Sequence, residues 1–363
     1  MHITLDRQTF LEHLELVGKV STKHVTLPIL QCVLLTVADD VLTITATNLE
    51  IGIEATMEPK VTAPGVVAVP SNTLLATVQF MTHKEITLRV DGTVLVVEGT
   101  GSKTDIKTIP FDEFPTIPKI SGTGQVINRS LFSLGIKTAG FAASLSSIKP
   151  ELGSVCVLQK KEHTLTFVAT DSFRLMEKTV PQKGVALTDP LLIPQKNAFE
   201  LARVCDALTS DPELRVNENQ CSLTFKHVYI TSRLVGGSFP DYQSIIPKEY
   251  CTHTTLLKND LMHAFKKTNI FLNKFLQVGV AVDNKACTIA AMSGELGTTT
   301  EVIQATTEGE ALSLNFNQRY LAEPLSYVTD ESIVLHFAGI GRPMVMEGVH
   351  DSTLRYLVMP MNK

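Results

Sequence analysis

Three short segments of the chain share a pattern at nearly constant intervals, and that periodicity limits the fold more than any other property of the sequence. LTITATNLEI (42–51), LTFVATDSFRL (165–175) and CTIAAMSGEL (287–296) align Ala46, Ala169 and Ala291 at spacings of 123 and 122. VPSNTLLATVQFM (69–81), IPQKNAFELARVC (193–205) and FNQRYLAEPLSYV (316–328) recur at a similar interval. EFPTIP (113–118) pairs with SFPDYQSIIP (238–247), placing Phe114 and Phe239 125 residues apart. LDRQTFLEHL at 5, INRSLFSLGI at 127 and LKNDLMHAFK at 257 each set a polar residue before an amphipathic run, and LPILQCVLL (27–35) lines up with KPELGSVCVL (149–158). One order and one spacing for all of these reads as three tandem domains of a single fold, near 1–121, 122–249 and 250–363.

Each repeat carries the same local signals. A first helix shows apolar residues at helical spacing, Phe10, Leu11, Leu14 and Val17 in the first repeat and Leu261, Met262, Phe265 and Leu272 in the third. A second helix follows Pro70, with Leu74, Leu75, Val78 and Met81 on one face and Ser71 or Asn72 expected as N-cap. The remainder alternates with period two, as in Val41–Ala46, 87–97 and 221–225. Two helices against many strands per repeat gives an α+β class with antiparallel sheets.

The 363 residues carry a net charge of −5, which argues against a uniformly basic nucleic-acid binder. The charge is segregated, however. The six helical stretches 7–24, 71–84, 128–150, 194–208, 258–274 and 316–329 sum to +8, leaving −13 for everything else. If the helices line one surface, that surface can follow phosphates without reading sequence. The six cysteines form no CxxC pair and read as buried hydrophobes, so neither disulfides nor zinc are expected. No apolar run reaches the roughly 18–20 residues of a membrane span, and the opening MHITLDRQTF has no signal-peptide pattern, so a cytoplasmic location is expected.

Catalytic patterns are missing from the sequence. Gly99-Thr100-Gly101-Ser102-Lys103-Thr104 has Ser102 where a phosphate-binding loop requires glycine, and it reads as a turn. There is no GxSxG and no HExxH. Asp171 in ATDSFRL follows a strand, where an aspartate ordinarily caps backbone N–H groups. The expectation is no enzyme, no cofactor and no metal.

LPIL (27–30), ATNLEI (46–51), EFPTIP (113–118), ATDSFRL (169–175), GGSFPDYQSIIP (236–247) and YLVMPM (356–361) resemble the signature stretches of the bacterial sliding clamps, the beta subunits of DNA polymerase III. The resemblance spans essentially the whole chain. It implies three clamp-fold domains per chain, a head-to-tail homodimeric ring with helices lining the hole, and tethering of the polymerase to double-stranded DNA. A ring holds DNA by topology, so weak contacts through water suffice.

The family's partner-peptide pocket maps onto Leu152, Thr170, Ser172, Phe173, Arg174, Leu175, Pro240, Ser244, Ile245, Pro343, Val358, Met359, Pro360 and Met361. It implies as partners the polymerase catalytic subunit, the clamp loader and repair proteins bearing short Leu/Phe peptides. Two such anchors at about 1.5–3 kcal/mol each suit partners that exchange. The DNA-facing set is His24, Arg129, Lys137, Lys149, Lys196, Arg203, Lys266 and Lys267, and the dimer-interface set is Ile106, Ile270 and Phe271. The chain departs from the family at Ser172-Phe173, usually Gly-His, and at Asn362-Lys363, usually Arg-Leu. It departs also at Asn72, usually arginine, and at Pro150-Glu151, usually aromatic. The alternative reading is a non-catalytic three-domain scaffold with no DNA role.

Overall fold

The computed structural model describes residues 1–21, 27–146 and 148–361. His24, Asn362 and Lys363 lie outside the described residues. Among the described residues the six α-helices are α1 (Arg7–Gly18), α2 (Ser71–Phe80), α3 (Arg129–Gly140), α4 (Gln195–Ala207), α5 (Lys258–Thr268) and α6 (Gln318–Ala322), the last extended by a 3-10 turn, Glu323–Ser326. Phe10, Leu11, Leu14 and Val17 are all buried, as the spacing predicts. Asp6 caps α1 by accepting from the Thr9 N–H at 2.9 Å.

The expected cap of α2 is different. Pro70 occupies the N-cap position, and the Ser71 hydroxyl turns instead to the Gly18 carbonyl at the end of α1. The close packing of α1 on α2 takes that hydroxyl away from its own helix.

Two compact units gather the chain. The first comprises 1–133, 183–186 and 196–234, the second 134–182, 187–195 and 235–363. In the first unit one sheet runs Lys60–Ala63, His2–Asp6, Glu85–Asp91, Val94–Gly99, Ser102–Lys107. Another runs Gln125–Val126, Glu213–Val216, Gln220–Thr224, Val228–Arg233, Ile51–Met57, Val41–Thr47, Cys32–Ala38, Gly65–Pro70. The second unit holds a sheet of twelve strands in the order Leu191–Pro194, Ser154–Leu158, Thr164–Thr170, Arg174–Pro181, Leu354–Val358, Met344–Gly348, Ser332–Phe337, Thr252–Leu257, Gly297–Gly309, Ala286–Ser293, Gln277–Val282, Leu312–Asn317. The described pairings are antiparallel.

Two of these pairings cross from one sequence repeat to the next. Ile51–Met57 pairs with Val228–Arg233, Ile53 opposite Ile230. Arg174–Pro181 pairs with Leu354–Val358, Leu175 opposite Leu357. Sheets of successive repeats therefore join edge to edge, which a reading of separate domains does not foresee.

Helices cover one face of the sheets: α1 lies on the strands at 41–47 and 51–57, α5 on those at 286–293 and 297–309. Gly135 in α3 admits the Phe167 ring, since a Cβ there would stand 2.2 Å from it. The turn at Thr100-Gly101, with Gly101 at φ +74°, is the strand connection expected of that segment.

Candidate functional site

The strands 164–170 and 174–181 are joined by a turn whose hydrogen bonds are nearly all local. Asp171 Oδ1 accepts from the Phe173 and Arg174 N–H groups at 2.9 Å each, and Oδ2 accepts from Arg174 Nε at 2.9 Å. The Thr170 hydroxyl donates to the Arg174 carbonyl at 2.6 Å and accepts from the Ser172 N–H at 3.2 Å. Ser172 sits at φ +77°, the left-handed region that glycine takes without strain. Asp171 is thus a turn residue that caps backbone donors, as the sequence predicts.

The turn throws Phe173 outward, 62% exposed, and Arg174 inward, 7% exposed. A buried guanidinium destabilises unless its donors are met. Here Nη1 donates to Glu323 and Nη2 donates to the Phe141 carbonyl at 3.1 Å. The guanidinium carbon lies 4.4 Å from the centre of the Tyr320 ring and 5.4 Å from that of Phe141. Phe141 stacks on Tyr327 at 4.9 Å, and the Tyr356 hydroxyl donates to the Tyr320 carbonyl at 2.8 Å. Burial by itself raises the Glu323 pKa, but hydrogen bonds from Arg319, 2.5 Å away, and Arg174 more than offset it and hold the carboxyl below its usual range.

Beside this turn the terminal strand 354–358 completes the sheet. The chain then continues under restraint, the Met359 N–H donating to the Phe173 carbonyl at 2.8 Å and the Met361 N–H to the Asn315 carbonyl at 2.7 Å. The opposite cover is the segment 235–250. Its Tyr242 donates to Glu177 at 2.6 Å and joins Cys156, Val168, Leu175, Leu192, Val345 and Leu357 in one buried cluster.

The structure divides the expected pocket residues by exposure. Leu152, Thr170, Arg174, Leu175 and Val358 are buried and make a supporting layer. Ser172, Phe173, Pro240, Ser244 and Ile245 are exposed, while Pro343, Met359, Pro360 and Met361 are half-buried. Phe141, Tyr320 and Glu323 were missed by sequence reasoning. Glu323 stands 149 residues from Arg174, and no local pattern links them.

The expected DNA-facing cations fare unevenly. Lys196 and Lys266 are exposed on α4 and α5, and Lys137 is exposed on α3. Arg129 is engaged with the Thr209 and Cys205 carbonyls, and Arg203 with Glu200 and the Leu16 carbonyl. Lys267 pairs with Glu301 at 2.8 Å. Lys149 is exposed but not helical, because α3 ends at Gly140 rather than running to 150. With the observed boundaries the α-helices carry +4 rather than +8: Lys19, Lys84, Lys149 and Lys274 fall beyond helix ends, Lys23 lies outside the described residues, and Glu323 falls in the 3-10 turn after α6. The sign of the contrast survives, at +4 against −9 in place of +8 against −13.

Of the expected interface residues, Ile270 is 64% exposed and Phe271 half-buried. Ile106 is 4% exposed and belongs to the core of its own sheet. Phe80 at the end of α2, 82% exposed, is the apolar surface residue near that strand, and sequence reasoning passed it over.

Comparison with known proteins follows this geometry. Residues 1–118, 126–241 and 243–362 match, in order, the N-terminal, central and C-terminal domains of the DNA polymerase III beta subunit. The beta sliding clamp of Pseudomonas putida is 28% identical, covering 99% of this chain and 100% of that protein. The crystal structure of the DNA polymerase III subunit beta from Pseudomonas aeruginosa superposes with a TM-score of 0.94 at 26% identity, covering 100% of both chains. A DnaN sliding clamp from the same organism, bound to griselimycin, gives 0.94 at 26%, again covering 100% of both chains. Among the described residues no helix is long and apolar enough to cross a membrane. Three clamp domains in tandem, matched from end to end, decide against a scaffold without a DNA role and against an enzyme: the chain belongs to the DNA polymerase III beta subunit family and is a DNA sliding clamp.

Proposed function

We propose that two copies, each of three domains near 1–121, 122–249 and 250–363, close head to tail around duplex DNA in the cytoplasm and carry partners on the turn at 170–174. One observation supports the ring above others. Strand 51–57 of the first repeat pairs with 228–233 of the second, and 174–181 of the second with 354–358 of the third. By the same rule strand 297–304 of the third repeat needs the counterpart of 228–233 and 354–358, which in the first repeat is 102–107. Among the described pairings that stretch bonds only to 286–293, and 102–107 only to 94–99. Unpaired edges of this kind invite a further strand. A second copy supplies both edges at once, in a closed heterologous contact. Val302, Met292 and Leu296 are 70%, 68% and 65% exposed near one edge, and Phe80 stands near the other.

The peptide reading rests on the exposed Phe173 and Ile245 and the half-buried Met359–Met361 tail, an apolar rim on a hydrogen-bonded frame. Leu/Phe peptides from the polymerase catalytic subunit, the clamp loader and repair proteins are the partners. Lys137, Lys196 and Lys266 are the cations best placed to meet phosphates, since they are exposed and helical; DNA of any sequence is accepted. The test is mass measurement in solution together with retention on DNA. The native chain is expected to run as a dimer that stays on closed circular DNA and is lost once the circle is cut, and Val302→Asp to run as a monomer that is never retained. A monomeric native chain, or equal loss from circular and linear DNA, removes the reading.

A further inference from the structure

A groove of about 390 Å³ lies between α5 and α6. Its floor is apolar, from Met262, Phe265 and Leu325, and its rim carries Lys266 and Arg319. Glu323 belongs to the same wall and stands between two guanidiniums. Its Oε1 accepts from Arg319 Nε at 2.5 Å on the solvent side, where Arg319 is 63% exposed. Its Oε2 accepts from Arg174 Nη1 on the buried side, where the Arg174 side chain is 8% exposed. One carboxylate is thus shared between the groove and the turn that displays Phe173.

We propose that this Arg319–Glu323–Arg174 bridge couples an anion in the groove, a phosphodiester of the encircled DNA, to peptide binding at the turn, with Glu323 as the positioning residue. The inference rests on the peptide reading of the turn and the DNA-facing reading of α5. A guanidinium binds phosphate oxygens through paired donors. When Arg319 takes a phosphate, its hold on Glu323 weakens, and the carboxylate's charge falls more fully on Arg174. Arg174 is anchored to the turn by its own backbone N–H and Nε bonds to Asp171, so a tighter hold on it fixes the turn and the Phe173 it presents. A site already fixed loses less freedom on binding, so the peptide binds more tightly. Linkage is reciprocal: a bound peptide raises the groove's affinity for phosphate by the same factor. Arg319 is largely in water, so the factor is modest, about twofold to fivefold.

The experiment measures binding of a fluorescent Leu/Phe peptide to the full-length clamp with and without a short duplex, duplex binding being followed separately. Native protein is expected to bind the peptide twofold to fivefold more tightly with duplex present. Arg319→Gln is expected to show that tighter affinity without DNA and to respond to duplex no further. Glu323→Gln is expected to bind the peptide more weakly and to lose the response, with partial rescue of both in Glu323→Asp. An unchanged peptide affinity in native protein that demonstrably binds duplex overturns the coupling alone, as does a native-sized response in Arg319→Gln. Failure of the native protein to bind any peptide overturns the underlying reading and this inference with it, and failure to bind the short duplex even at low salt and high duplex concentration overturns the coupling alone. Because Arg319 is exposed, its variant keeps the test open even if Glu323→Gln does not fold.

Discussion

The turns Thr47–Ile51 and Thr170–Arg174 are copies of one backbone put to different uses. In both, the threonine hydroxyl donates to the carbonyl four residues on, at 3.0 Å to Ile51 and 2.6 Å to Arg174. In both, the next side chain, Asn48 or Asp171, accepts two backbone N–H groups through Oδ1. Leu49 and Ser172 hold φ of +76° and +77°. Even the neighbouring chain closes on each turn alike, Arg233 N–H to the Glu50 carbonyl and Met359 N–H to the Phe173 carbonyl, both at 2.8 Å.

The side chains part company. Glu50 and Arg233 form an exposed ion pair at 3.6 Å where the second turn has Phe173 and Met359. Ile51 is buried where the second has Arg174. The covering segments differ as well: at the first turn Ile117 packs onto Gly52, leaving about 70 Å³, while at the second Ile245 stays 51% exposed. The second frame has an apolar pair where the first has a solvated charge pair, and its cover is left ajar, the two features on which the proposed docking role rests.

That contrast can be broken in order of effect. Arg174→Ala strands Glu323 and Asp171 around an unfilled site and is expected to cost about 3–5 kcal/mol in urea unfolding; a loss under 1 kcal/mol would mean the buried pair contributes nothing. Phe173→Glu with Met359→Arg copies the first turn's pair onto the second. It should weaken Leu/Phe peptide binding roughly 10- to 100-fold, the equivalent of one apolar anchor, with little change in unfolding midpoint. The reverse graft, Glu50→Phe with Arg233→Met, should gain no peptide binding, because Ile117 closes that groove. Thr47→Val and Thr170→Val each remove one hydroxyl from the same bonds and should each cost about 1 kcal/mol; unequal losses would show that the frames are not equivalent. Ser172→Gly relieves a left-handed serine and should stabilise by about 0.5 kcal/mol, seen as a slightly higher Tm.

Acid acts on the second turn in a defined direction. Glu323 has a folded pKa below its ordinary value, so the stability it supplies is complete above the unfolded pKa. It is lost as pH falls through the lower, folded pKa. Stability measured by urea unfolding should therefore fall less on acidification in Glu323→Gln than in the native chain.

Much of this was legible before any coordinates. The threefold spacing located both turns, the buried face of α1, Leu261 and Phe265 of α5 but not Leu272, which lies beyond its end, and Asp171 as a cap, because hydrogen bonds within a few residues and periodic burial leave local marks. Ile106, 4% exposed on strand 102–107, marks a limit of local patterns: an apolar residue on an edge strand looks the same in sequence whether it faces its own core or a partner. The helical placement of Lys149 failed because helix ends are weakly marked, as it did for Lys19, Lys84 and Lys274.

The sequence by itself determined the repeat, the α+β class, the turn chemistry and, through shared motifs, the family. Only the tertiary structure decided that the sheets of successive repeats pair edge to edge, that Arg174 turns inward, and that Glu323 holds both Arg174 and Arg319. The reason is physical: a cap is satisfied by neighbours a few residues away, whereas a buried guanidinium is satisfied by whichever carboxylate the sheet brings to it, here one 149 residues distant.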